Sequence, residues 1–478
     1  MEKYKSIKIS KEMPEHLYIQ LYKCIRTLIF NAILKPHEKL PPIRKMADFL
    51  DVNNVTVVNA YKLLEEDFLV YKKVGSGTFI SPASDEEIDE VSTIRPSSFR
   101  YDFSISSPTA DLFPVDDFKT VLNEVLERDK GFAFGYQESK GFLPLRQSLC
   151  QYLKQHDIHC SLEELQIISG AQQGIDLVSK AVLDYGDTVI VEAPTYTGAI
   201  ASFKLKGASI VEVPLLEDGI DLDCLEQQLK KTRVKLIYLM PNSQNPTGIS
   251  YSQEKKIAVL DLAKQYNVWV IEDDYTADLN YTTIPPKALK VYDQYDKTIY
   301  IKSFSKVLMP GLRLGFMIVP TQISDAISLA KHSADISTSG LIQRSFDLYI
   351  REGYWDRQMC VMNEIFLKRF VVMKASLEKY RIEGVDFYIP RGGYNFWLTM
   401  SSGFSAEELS WRLNSLSVAI VPGNVFYHNQ IKSTSFRLSL AGIDEFDIES
   451  GIKIIMQEIE QWYKINQSNH FEASNPVL

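Results

Sequence analysis

Ile43, Met46, Ala47 and Leu50 are spaced i, i+3, i+4, i+7, the apolar stripe of a short helix that Pro41 and Pro42 are suited to open. Asp51-Val52-Asn53 reads as a turn, after which Val57, Ala60, Tyr61 and Leu64 repeat the helical spacing. "LVYKKVGSGTFI" then gives two β-like runs around Gly75-Ser76-Gly77, with Lys72 and Lys73 near the tip. Two helices, a tight turn and a basic hairpin make a winged helix-turn-helix, whose second helix enters the DNA major groove. A small helical cap with a surface hairpin would explain each cue alone, but the working order of all of them favours DNA binding. The stripe leaves Asn54, Val55, Thr56, Val58, Asn59 and Lys62 outward on that helix. Asn pairs with adenine and Val or Thr packs on a thymine methyl, so an A·T-rich half-site is expected.

Residues 81–100, "SPASDEEIDEVSTIRPSSFR", are polar and acidic without periodicity, and read as a linker between a head (1–80) and a body (101–470). In the body, β-like runs at Thr188–Val191, Val234–Met240, Val268–Ile271, Lys297–Ile301 and Leu314–Val319 alternate with amphipathic stretches such as Gln172–Leu183 and Ser252–Tyr266. That alternation predicts an α/β fold with a mostly parallel sheet, whose ligands bind beyond the carboxyl ends of the strands. Helical spacing over Ala326–Glu383, with strands around Val418 and Phe436, predicts a smaller carboxyl-terminal lobe. The polar tail from Gln467 is expected to fray.

The predicted strand ends carry a coherent set of side chains. "SGAQQG" opens a helix, and the backbone N–H groups of Ala171 and Gln172 there suit a phosphate. "EAPTYTG" offers Tyr196 to stack on a ring, "NSQNPTG" offers Asn245 as a donor, and "EDDY" places Asp273 and Tyr275 two apart. Ser303, Ser305 and Arg313 add phosphate partners around Lys306. Lys306 wants an aldehyde, and Asp273 wants a protonated ring nitrogen. Pyridoxal 5′-phosphate carries phosphate, pyridine nitrogen, phenolic oxygen and aldehyde on one ring, so it fits the whole set, with Asn245 and Tyr275 on the phenolic oxygen. Each residue alone has a duller reading, such as a turn or a solvated charge; their order at successive strand ends does not.

Charge sharpens the division. Residues 1–80 hold 13 Lys and Arg against 9 Asp and Glu, a balance of +4, whereas the 478-residue chain carries −9, leaving −13 beyond residue 80. Only the head is therefore suited to a polyanion. No apolar run is long enough to span a bilayer, and "MEKYKSIKIS" lacks a signal-peptide core, so a cytoplasmic protein is expected. The five cysteines are scattered and read as reduced thiols; "HDIHC" (His156, His159, Cys160) lacks an evident fourth ligand, and no metal is expected.

The stretch Lys35–Ile80 resembles the GntR-type winged helix, which implies that Arg44 reaches DNA; Asn53 and Asn54 stand where that family often has Ser-Arg. Residues 100–465 resemble the fold-type I, class I/II aminotransferases through "SGAQQG", "NPTG", "DDY", "SFSK" and "GLRLG". The resemblance implies that Lys306 is the Schiff-base lysine, that Tyr136 reaches the cofactor phosphate of another subunit, and that Arg437 grips a substrate α-carboxylate. Together the halves resemble the MocR subfamily of bacterial regulators. That implies a head-to-tail homodimer binding operator DNA, and sensing of pyridoxal phosphate or an amino compound, with control of vitamin B6 or amino-compound metabolism. A catalytically active aminotransferase is the alternative.

Overall fold

The head is built from α1 (Leu17–Phe30), α2 (Ile43–Leu50) and α3 (Asn54–Glu66), followed by the hairpin β1 (Val70–Lys73) and β2 (Gly77–Ile80). In this computed structural model the described residues are 2–4, 7, 9, 16–30, 34–35, 38–66, 69–73, 77–80, 99–276, 278–429 and 432–473. Helix α1 is an addition to the elements expected from the sequence; its Leu21, Ile25 and Leu28 share a core with Val57, Ala60, Tyr61 and Leu64 of α3. Asp51 ends α2 in the left-handed conformation, with φ 51°. Asn53 Oδ1 then accepts from the N–H of Val55 (2.6 Å) and Thr56 (3.2 Å), capping α3 and making the turn sharp.

One stripe position departs from expectation. Ile43 is 38% exposed, because α2 is only eight residues long and meets the core through Met46 and Ala47. The hairpin pairs antiparallel as expected, Tyr71 opposite Phe79, and Leu40 N–H to Thr78 O (2.9 Å) adds an edge segment to it. The turn residues 74–76 lie outside the described residues.

The chain divides into two compact units, 1–96 and 97–478, a boundary inside the expected linker, of which 81–98 lie outside the described residues. The second unit opens with β3 (Tyr101–Asp102), α4 (Val115–Asp129) and α5 (Leu143–Gln155). There follow β4 (Leu165–Ile168), α6 (Ala171–Val182), β5 (Thr188–Ala193), α7 (Thr197–Leu205), β6 (Ser209–Leu216) and β7 (Gly219–Ile220). Next come α8 (Leu222–Lys231), β8 (Val234–Leu239), α9 (Gln253–Gln265), β9 (Trp269–Asp274), β10 (Thr298–Ser303) and β11 (Gly315–Ile318).

These strands form one eight-stranded sheet in the order β4-β11-β10-β9-β8-β5-β6-β7. The central pairs are parallel, but β11 runs antiparallel to both β10 and β4, a direction its apolar run could not disclose. Successive residues of β5 face opposite sides. Val189 and Val191 pack with Ile175 and Val178 of α6, while Ile190 packs with Leu225 of α8 and Val259 of α9. Both faces are thus covered, as a parallel sheet requires.

The remaining chain supplies α10 (Ser324–Asp335), α11 (Gly340–Arg351), α12 (Tyr354–Lys379), β12 (Val385–Phe387), β13 (Asn395–Met400), α13 (Ala406–Asn414), β14 (Val418–Ala419), β15 (Val421–Pro422), β16 (Ser435–Ser439) and α14 (Glu445–Ala473). Strands β12, β13, β16 and β15 make a small antiparallel sheet, the expected second lobe, while β14 pairs with β3. Helix α14 continues past Gln467 to Ala473, extending a helix whose Ile452, Ile455, Ile459 and Trp462 are anchored in the core; the rest of the tail expected to fray, 474–478, lies outside the described residues.

Candidate cofactor pocket and DNA-binding face

At the carboxyl end of β4, Gly170 turns the chain into α6 with φ 86°, and a Cβ there would stand 2.7 Å from Arg313 Nη2. A glycine is therefore required for the guanidinium to lie against the helix start. Arg313, itself left-handed at φ 48°, donates through Nη2 to Ser169 O (2.9 Å) and through Nη1 to Ser305 Oγ (3.4 Å). Ser303 Oγ accepts from Ser305 N–H at 3.2 Å. The expected anion partners, namely Ala171 and Gln172 at the first two helical positions, Ser303, Ser305 and Arg313, thus come together. The first N–H groups of a helix have no intrahelical acceptor, so the cup is suited to an anion.

Tyr196 is half-buried at the start of α7, its hydroxyl donating to Gln172 Oε1 at 3.2 Å. Gly198 leaves room beside it, since a Cβ there would meet Gln172 Oε1 and the Tyr196 ring as they are placed and would make one of them shift.

Asp273 is buried near the end of β9. Its Oδ2 accepts from Tyr238 at 2.6 Å, while Oδ1 is buried with no partner. Burial and the neighbouring Asp274 raise its carboxyl to about 6, against the hydrogen bond from Tyr238 and the charge of Lys306. An orphaned buried acceptor is costly, and a protonated ring nitrogen is the partner it lacks.

Lys306 offers the complementary feature. Among the described residues no carboxylate ion-pairs with it; its Nζ meets only Ser106 Oγ, at 3.2 Å. Burial, then Arg437 and Arg313, lower its ammonium pKa, opposed by Asp273. The contrast with Lys302, four residues earlier, is instructive. Lys302 is also buried but is held by Asp278 at 2.9 Å and Asp274 at 3.7 Å, as a structural lysine should be. The residues therefore fit pyridoxal phosphate on structural grounds: an anion cup, an unpaired amine and an orphaned carboxylate oxygen.

Arg437, in β16, is buried without a carboxylate partner among the described residues. It donates through Nη1 to Asn245 Oδ1 (3.0 Å) and through Nη2 to Ser104 O (2.7 Å), and its Nε is unsatisfied. Burial lowers its pKa to about 10. With Oδ1 of Asn245 occupied by Arg437, the amide nitrogen is left as the donor expected from the sequence.

Tyr275 does not match its expectation in full. β9 ends at Asp274, so Tyr275 lies past the extended segment; its hydroxyl donates to Ser243 O at 2.7 Å and accepts from Asn395 Nδ2 at 2.8 Å. Its single proton is already committed. Tyr136 stands apart from the others, 86% exposed beside Phe132 (82%) and Phe134 (70%).

Tyr238, Asn395, Ser104 and Ser106 belong to the site but are absent from the sequence-based set. Asn395 inside a strand contradicts β propensity and is the available signal. The Asp-x-Ser of "YDFS" is another: Asp102 Oδ1 accepts from both N–H (2.9 Å) and Oγ (2.6 Å) of Ser104, forming a side-chain-stabilised turn.

In the head, Asn54, Val55, Val58, Asn59 and Lys62 line the exposed face of α3, with Val55 60% and Val58 44% exposed. Thr56 is half-buried there, its N–H engaged by Asn53. Arg44 and Lys45 are exposed on α2. Lys72 and Lys73 lie in β1 opposite Thr78 and Gly77. Among the described residues no helix is long and apolar enough to cross a membrane.

Residues 102–455 match the family model of class I and II aminotransferases, and residues 17–80 match that of the bacterial gntR regulatory proteins. Aromatic-amino-acid aminotransferase 1 of Thermococcus litoralis is 31% identical, over 84% of this chain and 97% of its own. The probable rhizopine catabolism regulatory protein MocR of Rhizobium meliloti is 25% identical, over 92% of this chain and 93% of its own, so the alignment includes both head and body. Among solved structures, LysN, the α-aminoadipate aminotransferase of Thermus thermophilus complexed with N-(5′-phosphopyridoxyl)-L-leucine, superposes with a TM-score of 0.71 at 32% identity, over 76% of this chain and 93% of that one.

Proposed function

Because the chain belongs to the class I and II aminotransferase family and carries a gntR-type head, as MocR-type regulators do, we propose that it is a pyridoxal 5′-phosphate-dependent transcription regulator. Its body senses the cofactor together with an amino compound, and its head binds operator DNA in the cytoplasm. Bound there, pyridoxal phosphate supplies an aldehyde that captures amines reversibly and a ring that draws electrons when its nitrogen is protonated.

The chain's own residues do the rest. Ala171 and Gln172 N–H, Ser303, Ser305 and Arg313 would hold the phosphate, and Tyr196 would stack on the ring. Asp273 Oδ1 would accept the ring N–H, and Asn245 Nδ2 would donate to the phenolic oxygen. Tyr275, its proton held by Ser243 O, reaches that oxygen only by giving up this bond. Lys306 Nζ would anchor the aldehyde, and as a free amine it would hold a proton there. Arg437 grips the carboxylate of the amino compound. The observation that carries the reading is the coexistence of a buried, orphaned Asp273 Oδ1 with an amine at Lys306 that no carboxylate pairs.

The working assembly is a head-to-tail homodimer. The aromatic run Phe132, Phe134 and Tyr136, each largely exposed in one chain, supports a second copy covering this edge and receiving Tyr136 in its phosphate cup. Two heads then meet two half-sites, and a ligand that binds body conformations unequally changes which spacing is reached.

The second reading, a working aminotransferase, draws on Lys306 and Arg437 both being in place. Titrating the cofactor-loaded protein with amino compounds, with and without operator DNA, separates the two. Ligand-dependent operator affinity without sustained 2-oxo acid formation supports the regulator; continuous turnover with no effect on DNA supports the enzyme.

A further inference from the structure

In the sequence Cys150 and Cys160 read as scattered thiols, yet the fold places their sulfur atoms 3.7 Å apart. Cys150 lies in the middle of α5, Cys160 in the segment approaching β4, and both are half-buried. A disulfide needs about 2.05 Å between sulfurs, so about 2 Å of closure or less remains, within the reach of side-chain adjustment. Arg146 and Lys154, one helical turn before and after Cys150, surround it with positive charge. The contact with Cys160 and then these two cations draw the Cys150 thiol down to about 7, against the effect of burial. A thiol of that kind, with a second thiol in contact, has the arrangement of an attacking and a resolving cysteine.

We propose that Cys150 and Cys160 form a reversible intrachain disulfide, a redox modification site separate from the cofactor pocket. With a peroxide as oxidant the step balances. The Cys150 thiolate attacks one peroxide oxygen, the O–O bond breaks, and with one proton taken up a sulfenic acid and the first water result. The Cys160 sulfur then attacks Cys150 Sγ, the S–S bond forms, the S–O bond breaks, and the thiol proton leaves with the second water. Two thiols lose two electrons in all, and hydrogen peroxide becomes two waters. A dithiol reverses the bond by exchange.

The new bond would reinforce an existing clamp. Arg146 Nη1 donates to Leu162 O at 3.0 Å, and Ile167 N–H donates to Lys140 O at 2.9 Å, so the chain before α5 already holds β4, which leads to Ser169. Formation of the disulfide does not depend on the cofactor reading.

The test treats the full-length protein with hydrogen peroxide, denatures it, blocks free thiols with N-ethylmaleimide, and maps peptides without reduction. The five thiols should fall to three, with Cys150 and Cys160 joined in one linked peptide, and dithiothreitol should restore five. Cys150→Ser should lose no thiol under the same treatment, whereas Cys160→Ser should give no linked peptide and carry its oxidation as oxygen added at Cys150. In the wild type, five thiols surviving, a lone oxygen added at Cys150, or bridges only between chains through the exposed Cys360 would overturn the proposal.

Discussion

Arg437 Nη2 donates to the main-chain carbonyl of Ser104 at 2.7 Å. Two residues on, Ser106 Oγ meets Lys306 Nζ at 3.2 Å. One short arm therefore touches both the residue assigned to the carboxylate and the residue assigned to the amine. The arm is anchored by β3 on β14 and by the Asp102 turn. A carboxylate arriving at Arg437 would compete with Ser104 O, and an amine exchanging at Lys306 would displace the contact with Ser106. The arm belongs to the same stretch of chain that leads back toward residues 81–98 and the head.

Arg437→Met is expected to weaken binding of amino acids while sparing amines that lack a carboxylate. Loss of a charged hydrogen-bond pair costs about 1.5–3 kcal/mol, or roughly tenfold to 150-fold in affinity. Absorbance titration of the cofactor-loaded protein with an amino acid and its decarboxylated amine reads the difference. Equal losses for both ligands would remove Arg437 from carboxylate recognition.

Stabilisation by the cofactor should grow as pH rises from about 4 to about 6. Asp273 has a folded-state value of about 6 in the cofactor-free protein, above the ordinary 3.8. For a carboxyl raised in this way, the unfolded chain binds fewer protons than the folded one between these values, so stability falls as pH climbs through that window. The gap of about 2 units corresponds to roughly 3 kcal/mol. A cationic ring nitrogen at Oδ1 relieves that penalty. Melting curves with and without pyridoxal phosphate should diverge with pH in the wild type and diverge less in Asp273→Asn. Glu192 and Glu272, each raised chiefly by burial to about 7, titrate nearby, and Glu192 also feels the charge of Asp273, so Asp273→Asn is the control that isolates the Asp273 part.

In the head, Arg44→Ala and Lys62→Ala should weaken binding to every DNA sequence and each lower the salt slope by about 1. Asn54→Ala and Asn59→Ala should instead relax preference for A·T pairs by about 1–3 kcal/mol per lost contact. Fluorescence anisotropy at several salt concentrations separates the two behaviours, and selected sites rich in G·C would contradict the assignment of α3.

The periodic elements are legible in the sequence because burial imposes spacing. The α3 stripe Val57, Ala60, Tyr61 and Leu64 is buried throughout, and each β-like run of the body lies in the sheet. The strand-end residues Lys306, Asp273, Asn245 and Arg313 are legible because loops beyond parallel strands must carry the ligand contacts. Direction is not legible: the apolar run of β11 reads the same parallel or antiparallel. Nor is the role of Ser104, whose backbone carbonyl would accept from Arg437 whatever its side chain. The contacts of the Tyr275 hydroxyl with Ser243 and Asn395 are likewise not legible, because those neighbours come from distant segments.

The central assignment rests on Lys306 Nζ. Borohydride reduction of the protein reconstituted with pyridoxal phosphate, followed by peptide mass mapping, tests it directly. The account predicts one phosphopyridoxyl group per chain, on Lys306, abolished in Lys306→Ala while operator binding by the head persists. A label confined to Lys302 or to surface lysines, or no label on protein that remains folded and binds DNA, would contradict it.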